Sequence, residues 1–125
     1  MSTERRTTKQ KQAIWTIMSE QEHPLLPDEI HALALKEVPS LGIATVYRTL
    51  KTLQEEGEVC CVEIPGQSPR YERADKGHHH HFHCMECHTV FDLAKCVEGL
   101  KKLVPAGFKV STHEITLHGL CKSCA

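Results

Sequence analysis

Nowhere in its 125 residues does the chain carry an apolar run near the ~18 residues that a bilayer-spanning helix requires, although 40% of its residues are apolar. That excludes a membrane-spanning role and leaves a soluble protein as the expectation. No apolar segment of the kind that directs export opens it, so the seven cysteines are read in a reducing cytoplasm, where thiols stay free. Charge of one sign is also lacking. A formal net charge of −1 does not advertise a nucleic-acid binder, because such domains are often strongly basic. Its distribution is more telling: Arg5, Arg6, Lys9 and Lys11 crowd the start against Glu4 alone, whereas Glu20, Glu22, Asp28, Glu29, Glu55, Glu56 and Glu58 follow. A basic end of this kind either contacts phosphates or is a solvated tail. Neither a His-Glu-x-x-His helix nor the His-x-Glu and Pro-Cys-x-x-Cys pair of zinc deaminases occurs, which argues against a metallohydrolase and for a protein that is not an enzyme. A zinc-stapled interaction module without DNA affinity is a further alternative. Finally, little continuous apolar sequence lies beyond about residue 72, so the second half cannot build much core.

What that half has instead is metal ligands. His78-His79-His80-His81-Phe82-His83-Cys84-Met85-Glu86-Cys87 is answered near the end by Cys121-Lys122-Ser123-Cys124. Two thiolates three apart turn back on one tight loop, and two such pairs supply the four ligands of tetrahedral Zn(II), with each sulfur about 2.3 Å from the ion. Those four are Cys84, Cys87, Cys121 and Cys124; a disulfide pair or four unrelated thiols are the alternatives. A site closed by four protein ligands is a structural clip, and its metal is linked to folding. The histidine tetrad follows a different logic. In extended chain, side chains alternate faces, so His79 and His81 point one way and His78 and His80 the other, and one tetrad can serve two sites. Cys60, Cys61 and Cys96 fall outside the zinc pairs and read as small buried residues.

In the first half, Ala13, Ile14, Ile17 and Met18 recur at helical spacing and predict a helix over about 8–20. Pro27 suits the first turn of a second helix, with Asp28 and Glu29 at its positive end and Ile30, Leu33 and Ala34 as its buried stripe, running to about Glu37. A third helix is predicted over about 43–56, burying Ile43, Val46, Leu50 and Leu53 and ending at Gly57. Val59–Ile64 and Arg70–Arg73, on either side of Pro65-Gly66, read as a hairpin. Three helices and a hairpin make a winged helix, in which the third helix enters the major groove. Its outer face would carry Ala44, Thr45, Tyr47, Arg48, Lys51 and Thr52, suited to base edges and phosphates, although an ordinary amphipathic helix also has a polar outer face.

In order along the chain stand Gly42-Ile43-Ala44-Thr45-Val46-Tyr47-Arg48-Thr49-Leu50, the His78–His81 tetrad with Cys84-x-x-Cys87, Gly107-Phe108-Lys109-Val110, His113, and Gly119-Leu120-Cys121-x-x-Cys124. Together these segments resemble the ferric uptake regulator (Fur) family of bacterial metal-dependent transcription factors. The resemblance implies an α+β chain: an N-terminal winged-helix DNA-binding domain (1–73), a hinge (74–77) and a small zinc-stapled α/β dimerisation domain (78–125). It further implies a cytoplasmic homodimer that binds an inverted-repeat operator in double-stranded DNA, touches no membrane, and represses metal-homeostasis genes when loaded with a regulatory ion. DNA contacts would come from Ala44, Thr45, Tyr47, Arg48 and Lys51, with Lys11 standing where arginine is usual. The regulatory metal set implied is His23, Glu72, His79 and His81, which would fix the hinge and set the spacing of the two recognition helices. A second set would be His78, His80, Glu98 and His113, and Asp92 is a further candidate because the peroxide-sensing branch uses an aspartate there. Glu72 with two histidines suits Fe(II), Mn(II), Co(II) or Zn(II), and affinity order alone favours zinc over iron. Zinc sensors of the family often place a cysteine where Ala74 stands, which turns the expectation towards Fe(II). Zinc-sensing and peroxide-sensing regulators remain the alternatives.

Overall fold

The computed structural model describes residues 3–125, with side chains from Lys9 onward, so the side chains of Arg5 and Arg6 lie outside the described residues. The chain divides into two units, Met1–Gly77 and His78–Ala125.

In the first unit, α1 (Thr3–Glu20), α2 (Pro27–Ala34) and α3 (Ile43–Glu55) precede a hairpin of β1 (Val59–Val62) and β2 (Arg70–Arg73). Helix α1 starts earlier than apolar spacing suggests. The stripe that reveals it begins only at Ala13, but nothing in the polar residues from Thr3 on is a helix breaker. Helix α2 opens on Pro27, whose missing N–H costs nothing in a first turn, and Glu29 reaches back to accept from the Leu26 N–H at 2.8 Å. It ends at Ala34, and Glu37 and Val38 close irregular turns on the Ala34 carbonyl before Pro39. Helix α3 ends at a left-handed Gly57 (φ 75°), where Glu58 N–H donates to Leu53 O and Gly57 N–H to Gln54 O, at 2.9 and 3.1 Å.

Ile14, Met18, Ile30, Val46, Leu50 and Leu53 from the three helices meet Leu25, Leu41 and Val59 in one buried cluster. Ile43 does not join it. At the first turn of α3 it lies one step beyond the core and stays 37% exposed, against the expectation that it is buried. The segment after α1 adds to the wing through an antiparallel bridge, Leu25 to Tyr71, with N–H···O distances of 2.9 and 2.8 Å. A single 3₁₀ turn, Ala74–Lys76, follows β2.

The second unit is a three-stranded sheet in the order β4-β3-β5, made of β3 (His80–Cys84), β4 (Val90–Leu93) and β5 (Thr116–Gly119). Strands β3 and β4 are antiparallel around the Cys84–Cys87 turn, and β5 returns parallel to β3. Gly119 leaves room for the Phe82 ring, whose Cζ would stand 3.3 Å from an added Cβ. The helical part of this unit is one 3₁₀ turn, Leu100–Leu103. Its buried residues among those described are His80, His83, Cys84 and Val90, while Leu103, Phe108, Leu117 and Leu120 are exposed. Imidazole and sulfur occupy the interior where the first unit has aliphatic side chains.

Candidate metal centres and nucleic-acid face

The hairpin β3–β4 turns on Cys84-x-x-Cys87, and the chain end following β5 carries Cys121-x-x-Cys124, so the parallel β3–β5 pairing brings the two pairs to one end of the sheet. All four Sγ atoms lie within 4.8 Å of one another. Cys87 and Cys121 sulfurs are 3.9 Å apart, far beyond a disulfide bond and close to the ~3.8 Å edge of a tetrahedron with 2.3 Å Zn–S bonds. Backbone N–H groups of Cys121 and Cys87, at 3.4 and 3.5 Å from its sulfur, pull the Cys84 thiol down to about 6. Cys124, hydrogen-bonded with Cys121, is pushed up to about 12. Four thiols this close cannot all ionise without a cation among them, and the set fits Zn(II).

Leading into β3, the tetrad splits by parity, with His78 and His79 ahead of the strand and His80 and His81 within it. His79 and His81 stack edge to face with ring centroids 4.8 Å apart, and Asp92, the cross-strand partner of His81, places Oδ1 3.8 and 3.6 Å from their Nε2 atoms. Two imidazoles and a carboxylate form a nitrogen–oxygen set for a borderline divalent ion. Glu72 and His23 belong to the first unit. The Leu25–Tyr71 bridge sets the stretches that carry them side by side, and Glu72, 2% exposed, lies 3.1 Å from Lys76 Nζ. That ammonium supplies the positive charge a buried carboxylate needs.

On the other parity, His78 and His80 gather with His113 and Cys96, the donor atoms within 4.8 Å of one another. Glu98, expected here, is not in the group. Cys96 stands two residues earlier and places its sulfur 3.3 Å from His80 Nε2 and 3.1 Å from His113 Nε2. Burial, then His78 and His113, push His80 down and favour its neutral ring. A residue pair that sequence reasoning passed over is His83 and His118, in register across β3 and β5 with Nδ1 atoms 3.1 Å apart. The sequence signal for it is slight: His83 adjoins Cys84, and His118 stands three positions before Cys121. Cys60 and Cys61 lie half-buried on β1, and burial pushes the Cys61 thiol up.

In the first unit, burial of Val46, Leu50 and Leu53 turns Ala44, Tyr47, Arg48, Lys51 and Thr52 outward. Thr45 is half-buried and accepts from Arg48 Nη2 at 3.0 Å. Lys11 on α1 donates to both carboxylate oxygens of Glu56, at 2.7 and 3.0 Å. Gln10, Lys11, Thr45, Arg48, Thr49 and Thr52 line one groove between α1 and α3. Such a surface can offer cations and hydroxyls to a phosphate backbone and side chains to base edges.

Comparison with known proteins agrees with this layout. The model of the ferric uptake regulator family matches residues 2–118. A ferric uptake regulation protein of Bacillus subtilis is 30% identical over 124 residues, covering 94% of this chain and 83% of the relative. The peroxide operon regulator of the same organism is 32% identical over 125 residues, covering 96% and 84%. Among solved structures, the Helicobacter pylori ferric uptake regulator, described as having three functional metal-binding sites, superposes with a TM-score of 0.77 at 27% identity, covering 93% of this chain and 79% of that one. No helix among the described residues is long and apolar enough to cross a membrane. Its three helices and hairpin, followed by a sheet that gathers cysteines and histidines into ligand sets, carry the signature matched from residue 2 to 118: the chain belongs to the ferric uptake regulator family, whose members are metal-responsive transcription regulators and not enzymes.

Proposed function

We propose that the chain is a cytoplasmic, homodimeric repressor of metal-homeostasis genes that binds an inverted-repeat operator in double-stranded DNA when Fe(II) fills its regulatory set. Zn(II) in Cys84, Cys87, Cys121 and Cys124 is structural in this reading. The observation that carries it is the meeting of His79, just ahead of β3, with His81 and Asp92 on the β3–β4 pair, a donor set without sulfur. Glu72 and His23 complete the set by resemblance. Oxygen and imidazole donors accept Fe(II), and Ala74 in place of a cysteine withholds the thiolate that would favour zinc. Exposed Phe108, Leu117 and Leu120 give the second unit apolar surface that a second copy would cover. Ala44, Thr45, Tyr47, Arg48 and Lys51 meet the operator, with Lys11 exchanging Glu56 for a phosphate.

The test is His81→Ala. Removal of this imidazole leaves the four sulfurs untouched, so the variant keeps one zinc per chain and its dimer but loses Fe(II)-stimulated binding to the chain's own upstream promoter in an anaerobic titration. Unchanged metal activation would remove His81 from the set. Asp92 also favours a second reading, peroxide sensing. In that case hydrogen peroxide should release DNA from the Fe(II)-loaded protein and spare the Mn(II)-loaded one, because Fe(II) reduces peroxide readily and Mn(II) does not.

A further inference from the structure

Cys96 is the donor that neither spacing nor resemblance assigns. It lies on the loop after β4, outside both Cys-x-x-Cys pairs, yet its sulfur is 3.1 Å from His113 Nε2, and His113 Nε2 is 3.1 Å from His78 Nε2. Ligand atoms on a tetrahedron around Zn(II) stand roughly 3.3 to 3.6 Å apart for these atom types, so both contacts are within about half an ångström of a tetrahedral edge, and the Cys96 and His78 donor atoms lie within 4.8 Å of each other. His80 plays a different part. Its Nδ1 accepts from the Ile115 N–H at 3.3 Å, which keeps the ring proton on Nε2 and aims that N–H at the Cys96 sulfur, 3.3 Å away. An N–H aimed at sulfur steadies a thiolate. Three donors from three separate segments, with a fourth group supporting the sulfur, make a built site.

We infer that the second metal site of this chain is a thiolate–imidazole site, with Cys96 Sγ, His78 Nε2 and His113 Nε2 as ligands, His80 positioning the sulfur, and Glu98 outside it. On binding, the Cys96 thiol gives its proton to solvent and its electron pair to the cation. A thiolate ligand sharpens the preference for Zn(II) or Co(II) over Mn(II), an ion that the oxygen-bearing set at His79, His81 and Asp92 accepts more readily. The two parities of the tetrad thus serve ions of different softness. This rests on the metal-regulator reading of the chain but not on which metal opens DNA binding.

Cobalt reports the difference. To full-length protein that retains its one structural zinc, Co(II) is added anaerobically and the near-ultraviolet thiolate-to-cobalt charge-transfer band is followed, with zinc content measured alongside to show that the four-cysteine set is not exchanged. The band should form in the parent protein and in Glu98→Gln, and vanish in Cys96→Ser with at least about a tenfold loss of Co(II) affinity at that site. His80→Gln should retain the band at weaker affinity. A band of full intensity in Cys96→Ser, a band lost in Glu98→Gln, or no band in the parent protein would overturn the assignment. Metal-stimulated DNA binding through His81 is read separately, so either conclusion can fail without the other.

Discussion

The two units reach order by opposite means. The first buries Ile14, Met18, Ile30, Val46 and Leu50 almost completely, whereas the second buries His80, His83 and Cys84 and leaves Leu103, Phe108 and Leu117 in solvent. Apolar burial is non-directional and stabilises in proportion to area, so the first unit tolerates imprecision. Side chains that ligate metal demand geometry and a cation, and without one they are close, polar and costly to bury.

The sharpest way to break the comparison is to remove a sulfur. Cys121→Ser, or a strong zinc chelator, should release the structural zinc and unfold the second unit, since metal binding in small metal-folded domains contributes about 10 to 16 kcal/mol. Limited proteolysis with metal analysis should show residues 78–125 degraded and the helices of the first unit protected. A variant that kept its zinc and a protease-resistant second unit would mean that the sheet stands by itself. Conversely, Leu50→Ala should cost about 2 to 5 kcal/mol of stability in the first unit, read as a lower denaturation midpoint for its helical signal, with zinc content unchanged.

Smaller effects test the outward face of α3. Arg48→Ala should cost about 1 to 3 kcal/mol of specific operator binding if it reads a base, and reduce the salt slope if it touches only phosphate. Unaltered binding by both Arg48→Ala and Tyr47→Ala in folded protein would mean that this helix does not read DNA. Lys11→Ala should change stability by less than about 1 kcal/mol, because the Lys11–Glu56 pair is solvent-exposed. Its salt slope on DNA should fall by about one ion, which titrations at several salt concentrations would measure.

Much of this molecule can be read locally. Helices declare themselves by spacing of apolar residues, as at Ile14, Ile17 and Met18, and Pro27 and Gly57 punctuate them because backbone conformation is a property of one or two residues. The start of helix α1 escapes such a reading because its first turns carry no apolar stripe, and the exposure of Ile43 escapes it because spacing cannot say where a core ends. Cys-x-x-Cys pairs state by ligand type alone which class of ion suits them, and the tetrad divides in two by the period of an extended strand, both before any tertiary contact forms.

What only the tertiary structure decided is which distant residue joins each half of the tetrad. Asp92 meets His79 and His81 because the β3–β4 register sets it opposite His81. Cys96 meets His80 and His113 because the loop after β4 and the segment before β5 return to the same face. Nothing within a few residues of Cys96 or Glu98 states which of them reaches the histidines. A two-residue difference in a loop moves a donor by several ångströms, and ligand chemistry turns on the atom that arrives.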